Sequence, residues 1–389
     1  MHAQNLCLSF LFASLIASIA AEPPAPKFRA VDVDTAMEIG YGIAIADVDG
    51  DRRPDILVAD KKTIQWYHNP DWRKHIIAES LTEKDNVCIA AADIDGDGKC
   101  EVAVGAGWNP GDTVNSGAVF YLVPPQDRTL KWEPAALHHE PTVHRMHWLR
   151  NPQSGKFELV VKPLHGRGNK GNEGAGARVL AYQMPADPKQ TWRTEVVSDF
   201  THASHNFQPV NWSGGEGSEF VAAAKEGVWR FLRRGGKWER TQLTGEWAGE
   251  VRDGRLPGGR RFIATIEPMH GTTAAVYVQP SGGSGLWERQ LLDETLKDGH
   301  AVAVADFLGM GSDQVIVGWR GMNPKGVPGV KLFTPLDKGG QQWRMTHISG
   351  PEVAIEDIKA GDLNGDGKPD LILAGRQTKN LRILWNEHQ

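Results

Sequence analysis

The 389-residue chain is poor in cysteine (3) and tyrosine (5), and it has no basic block. Beyond residues 6–20 it has no long apolar run. Each scarcity narrows the field. Cys7 lies inside that first apolar run, so only Cys88 and Cys100 remain downstream, too few for a disulfide-stapled scaffold. A formal net charge of −5 with scattered Lys and Arg argues against nucleic acid. No later stretch approaches the ~18 apolar residues of a membrane-spanning helix. Amphipathic stretches of helical period are also missing, which disfavours a helical bundle.

Glycine (44) and tryptophan (14) are plentiful. Short Val/Ile/Ala/Leu runs alternate with Gly, Pro, Asn and Asp clusters, the pattern of an all-β protein. Residues 1–21 read as a signal peptide, with small residues Ser18, Ala20 and Ala21 before Glu22. The expectation is export to the periplasm or outside the cell, no membrane association after cleavage, and one domain over residues 22–389. The pattern carries no signal for oligomeric state. Cys88 and Cys100 fall near opposite ends of one hairpin, so two buried thiols without a disulfide are expected.

An acidic nonapeptide, D-x-[DN]-G-D-x-x-x-[DE], occurs three times before an apolar run. The copies hold Asp47, Asp49, Asp51 and Asp55; Asp93, Asp95, Asp97 and Glu101; and Asp362, Asn364, Asp366 and Asp370. Hard oxygen ligands at positions 1, 3, 5 and 9 suit Ca²⁺, and Gly at position 4 allows the tight bend. No helical pattern flanks them, so they are not EF-hands, and the calcium is expected to be structural. A further stretch keeps only Asp306-Phe307-Leu308-Gly309 with Gly311.

After each such position come two further strands and a Trp-led segment, beginning at Trp72, Trp132, Trp192, Trp238, Trp287 and Trp343. A seventh unit ends at Trp385 without one, while residues 27–32 precede the first unit and read as a lone outer strand. Seven four-strand units with this offset describe a seven-bladed β-propeller, closed by the N-terminal strand joining the last blade. The repeats resemble the FG-GAP/VCBS family of propellers. Overall layout and His-rich strands also resemble the propeller part of the aldos-2-ulose dehydratase group. That second resemblance implies chemistry on oxidised sugars.

Stepping back six residues from each acidic-loop start gives a column along the innermost strands: Tyr41, Val87, His144, His205, Trp247, His300 and Glu356. Blades three to five lack the acidic loop and are anchored on Glu158, Glu219 and Arg261, where a one-residue slip would flip side chains. The loops between strands two and three return to the same mouth with Trp108, His165, Arg167, Lys225, Glu267, His270, Arg320 and Arg376. Calcium is expected on the opposite face. His75, His138, His139 and His347 read as structural or surface residues.

Neutral imidazole is the commonest transition-metal ligand, so His144, His205 and His300 are read as holding Zn²⁺ or Mn²⁺, or as supplying the base. His165 and His270 would carry protons. Tyr41, Trp108, Arg167, Lys225, Trp247, Glu267, Arg320, Glu356 and Arg376 would bind substrate, with aromatic faces on a sugar ring and cations on carboxylate or enolate oxygens. This set favours β-elimination on an oxidised or uronic sugar, by a lyase or dehydratase acting on a small molecule or oligosaccharide. The alternative is a non-catalytic, calcium-stabilised propeller that binds glycans or proteins.

Overall fold

The computed structural model describes residues 22–215, 218–322, 324 and 326–388. The expected signal segment, residues 1–21, lies outside the described residues. All regular structure is β: seven four-stranded antiparallel sheets. Among the described residues no helix is long and apolar enough to cross a membrane.

The innermost strands are Gly42–Ala46, Cys88–Ala92, Val143–Arg150, Phe207–Pro209, Glu250–Arg255, Gly299–Ala305 and Ile355–Gly361. Each contacts the next, and Ile355–Gly361 contacts Gly42–Ala46, so the ring is closed. Phe28–Asp34 pairs with Asn380–Asn386 as the outer strand of blade seven. Closure by this strand ties the two ends of the chain and leaves no open end to the ring.

Second strands are buried on both faces, as in Asp55–Ala59 and Gln314–Trp319. A blade packs against a neighbour on each side, so these strands read as continuous apolar runs instead of alternating ones. Outer strands such as Glu133–Leu137 are largely exposed and carry the polar residues. Trp132 and Trp287 donate their backbone N–H groups to the Ile77 and Leu243 carbonyls of the preceding blades. The Trp-led segments therefore mark the joints between blades.

Cys88 and Cys100 are free and buried, as the hairpin spacing indicated. Burial pushes the Cys88 thiol up to about 12.

In blade five the ladder pairs Ile263 with Tyr277, as it pairs Leu159 with Tyr182 and Phe220 with Phe231 in blades three and four. Phe262, not Arg261, therefore occupies the position of Glu158 and Glu219. The expected anchor slips by one in this blade and its hairpin is one residue shorter than that of blade three, so the column position moves two residues, from Trp247 to Gly249.

Candidate functional site

At the mouth-side end of the innermost strands the corrected column is Tyr41, Val87, His144, His205, Gly249, His300 and Glu356. A local irregularity in the ladder sits at His144, His300 and Glu356. Such an extra residue re-aims a side chain where a regular pleat would not.

His144 and His205 have ring centroids 4.4 Å apart, and His205 and His300 are 5.7 Å apart. Blade five contributes glycine here for a steric reason. A Cβ on Gly249 would lie 2.7 Å from Met269 Cα. The gap admits the loop around residues 268–271, which brings His270 into the ring at a left-handed φ of 56°. His270 is 4.8 Å from His205 and 4.6 Å from His300 by centroid.

The hydrogen bonds orient the rings. His144 Nδ1 donates to the His205 carbonyl at 2.8 Å, and His300 Nδ1 donates to the Glu356 carbonyl at 2.5 Å. His205 Nδ1 lies 3.1 Å from the Gly249 carbonyl and 3.0 Å from Glu250 Oε1. With Nδ1 held by oxygen acceptors, the Nε2 lone pairs of His205 and His300 are left for the cavity. His270 Nε2 faces His205 Nε2 at 3.0 Å. One ring nitrogen from each of His205, His270 and His300 lies within 4.8 Å of the other two. His144 is outside this trio, because its Nε2 meets the Arg145 guanidinium at 3.3 Å.

Burial is the main cause that holds His144, His205 and His300 well below the ordinary histidine value, with nearby Arg145 or Arg320 adding to it. His270 is lowered by burial and by His205 and Arg320. Neutral rings facing one another are the donor set a divalent transition metal requires, so the residues present fit such an ion.

Arg320 borders the trio. It donates to Asp298 at 3.1 Å and to Glu356, and its guanidinium is 3.5 Å from His270 Nδ1. Arg376 donates to the other Glu356 oxygen at 2.8 Å and lies 5.3 Å over the Tyr41 ring. Tyr41 donates to Asp85 at 3.0 Å, and burial pushes its hydroxyl up to about 12. Trp108 lies 5.0 Å from His144 by ring centroid.

Other residues named from the sequence stand elsewhere. Glu267 is buried within blade five, accepting from Thr265, Tyr277 and Arg289, so it is a scaffold carboxylate. Arg167 donates to the Val114 carbonyl and to Glu140, fastening the long loop of blade three. Lys225 is spent on Asn172 and Glu173 of that loop. His165 lines a separate cavity with Asp112, Asn169 and Asn172, and its buried Nδ1 has no partner among the described residues. Trp247 precedes the strand and has no ring contact with the histidines among the described residues.

Asp85, Asp298, Glu250 and Arg145 were not singled out from the sequence. Glu250 and Arg145 lie at one height, one step below the mouth, as do Asn206 and Asp357. Period-two counting along the innermost strands would have reached them, but the extra residue at the mouth breaks a count taken from the column.

On the opposite face the acidic loops share one wiring. Asp47 accepts from Gly50 and Arg52 N–H groups, and Asp362 accepts from Gly365 and Gly367. Asp55 and Asp370 accept from Val48 and Leu363 with one oxygen and from Asn69 and Asn386 with the other. Carboxylate oxygens of Asp47, Asp49 and Asp55 converge within 4.8 Å, as do those of Asp93, Asp95 and Glu101. Asp51 and Asp97 cap the following backbone, accepting from Arg53 and Lys99. Asn364 does the same for Asp366. His68 Nε2, not anticipated, lies 3.4 Å from Asp49. Burial pushes Asp55 and Glu101 up to about 7, the environment of a carboxylate that gains from a bound cation.

Fold and site define a closed seven-bladed propeller with imidazoles gathered at one end of its axis and acidic loops at the other. Residues 47–104 match the FG-GAP-like repeat family, and residues 116–280 match the β-propeller domain of aldos-2-ulose dehydratase. The second span contains His144, His205 and His270. Aldos-2-ulose dehydratase of Phanerodontia chrysosporium is 25% identical over 264 residues, covering 60% of this chain and 29% of that protein. The chain thus spans less than a third of this curated relative. A chain in the crystal structure of a mitotic checkpoint complex superposes with a TM-score of 0.57 at 12% identity, covering 99% of this chain and 100% of that one. A chain from BBS1N in complex with ARL6DN gives 0.53 at 14% identity, covering 92% and 95%. These two share the propeller fold alone.

Proposed function

We propose that this chain is an exported carbohydrate lyase or dehydratase performing β-elimination on an oxidised or uronic sugar at the axial histidine cluster. The observation that carries the reading is the convergence of His205, His270 and His300, each from a different blade, beside Arg320. The match of residues 116–280 to a dehydratase propeller supports the same class.

In this reaction the C–H bond next to the carbonyl or carboxyl breaks and its proton passes to a base. The electron pair becomes the new C=C bond. The C–O bond one carbon further on breaks, and its oxygen leaves with a proton as water or an alcohol. A divalent transition metal, Zn²⁺ or Mn²⁺, held by His205, His270 and His300 would polarise the substrate oxygen. The remaining work falls to the chain. His144, outside that trio and neutral because buried, accepts the proton at Nε2. Arg320, fixed by Asp298 and Glu356, faces the oxygen on which charge develops. Tyr41 and Trp108 offer ring faces to the sugar. Calcium in the acidic loops stiffens the far face, and residues 1–21 direct export to the periplasm or beyond the cell.

The test is incubation with a panel of 2-keto, 3-keto and uronic sugars, following ultraviolet absorbance of the conjugated double bond. Metal content is measured after calcium exchange. We expect turnover and a retained transition metal, with both lost in His205→Ala and His270→Ala. A silent panel with no retained metal would move the assignment to a propeller that binds glycans or proteins without catalysis.

A further inference from the structure

Below the histidine cluster the channel continues between the innermost strands toward the acidic-loop face. The ladders place seven residues at one height: Ala44, Ala90, His147, Gln208, Arg252, Ala303 and Lys359. Blades three, four, five and seven thus carry polar or basic groups at that height, and blades one, two and six carry alanine. The alanines of blades one, two and six leave room. A cavity of about 280 Å³ is lined there by Ala44, Ala90, His147 and Lys359, with Arg145, Asn206 and Asp357 one step above.

The donors at this height are incompletely used. Gln208 Oε1 accepts from the Asp253 N–H, and its amide NH₂ has no protein partner among the described residues. Arg252 donates only to its neighbour's carbonyl at Val251, with Glu250 3.9 Å away. Lys359 lies 3.4 Å from Asp357.

The nearby carboxylates are shared with other donors, and Asp357 also accepts from Lys359 Nζ at 3.5 Å. Asp357 accepts from the Ile43 and Ile358 N–H groups. Glu250 accepts from Asn206 at 2.7 Å and faces His205. Arg145, one step up, donates to the His144 carbonyl and ring and has no carboxylate partner among the described residues. Guanidinium and ammonium groups drawn out of water in this way favour a bound anion.

We propose that this lower channel is an anion site, separate from the histidine cluster, that takes one small oxyanion such as sulfate, phosphate or a free carboxylate. Lys359 and Arg145 hold it from the cavity wall, Arg252 adds its charge from the same height as Lys359, and Ala44 and Ala90 make the space. The site does not depend on the proposed sugar chemistry. It shares only Arg145 with the region above, and through Arg145 an anion below would bear on His144.

Titration calorimetry at low chloride tests it, with sulfate as probe and acetate as a second arm that separates tetrahedral from carboxylate ligands. Sulfate should bind the full chain at millimolar or better affinity, weakening as ionic strength rises. Arg252→Met and Lys359→Met should each weaken binding about tenfold or more. Lys359→Arg, which keeps the charge, should bind within about threefold of the parent chain and covers the case that the methionine variants fail to fold. His270→Ala, altered only at the mouth, should bind sulfate as the parent does. No sulfate heat up to about 50 mM overturns the proposal. So does equal loss in His270→Ala, which would place the anion in the mouth.

Discussion

Blades one, two and seven differ from blades three and four in how they fasten the hairpin between strands one and two. In the first group a buried acid, Asp55, Glu101 or Asp370, accepts a backbone N–H at the start of the acidic loop, and in blades one and two the loop's carboxylate oxygens converge. In the second group the acid survives at the same position, but arginine meets it. Glu158 accepts from Arg233 at 2.8 Å, and Glu219 accepts from Arg230 Nε at 3.1 Å. Blade six stands between them, with neutral Gln314 accepting from Leu308 N–H at 2.9 Å. One structural demand, satisfying backbone N–H groups at a tight turn, is met by the strand-entry carboxylate in blades one, two, four and seven, by the Gln314 amide oxygen in blade six and by Asn151 Oδ1 in blade three. The mouth reflects the same division. Blades three, four and six give the column its histidines, whereas blades one, two and seven give Tyr41, Val87 and Glu356.

This contrast can be tested at its strongest point first. Glu158→Ala takes from buried Arg233 one of its two carboxylate partners, Glu195 being the other, and takes an acceptor from Asn151 and Gln183. It should cost about 3 kcal/mol in denaturant unfolding, with the same loss whether calcium is present or chelated. A cost that vanished on chelation would erase the distinction between the two groups.

Calcium is the next lever. At a free concentration about a hundredfold above Kd, one site should add about 2.7 kcal/mol to stability, and chelation should remove it. Asp49→Asn keeps an acceptor for Asp51 N–H but drops a charge, so it should shrink the calcium response more than it lowers stability without calcium. Equal responses in both proteins would argue against metal in that loop.

The smallest effect concerns the long loop of blade three, which a histidine straps down in place of any acidic loop. His202 Nδ1 is 2.6 Å from Glu226, and its Nε2 is 2.9 Å from the Gly174 carbonyl. Both nitrogens donate only in the imidazolium. The Gly174 carbonyl first, then Glu226 and Glu173, raise its value against the opposing pull of burial. His165 and Lys225 are the other titratable groups alongside. A raised folded value means the strap is complete below the ordinary histidine value and is lost as pH rises through the folded one. Protection factors of the amides at residues 171–176, corrected for the intrinsic rise of exchange with pH, should therefore fall as pH climbs through the folded value, above the ordinary histidine value, and show no such fall in His202→Gln.

Much of this architecture was legible from spacing. Three acidic loops at one place in the repeat, together with the Trp-led segments, set the blade number. The unmatched residues at each end showed how the ring closes. Six of the seven column positions follow from the same count, because a strand six residues from a fixed loop has a fixed height. Blade five escaped because Phe262 takes the place of the acid and the hairpin is one residue shorter, so no anchor showed the two-residue shift that replaces Trp247 with Gly249. Glu267 looked available and proved to be committed to Tyr277 and Arg289 within its own sheet.

Sequence by itself determined which residues share a height, since strand period and loop length are local properties of the chain. It could not decide which of them touch. The entry of His270 through the space over Gly249, the pairing of Arg320 with Glu356, and the bed of Arg252, Gln208 and Lys359 join strands far apart in the chain. Only closure of the ring around a common axis brings the first two sets into contact and the third to one height around the channel.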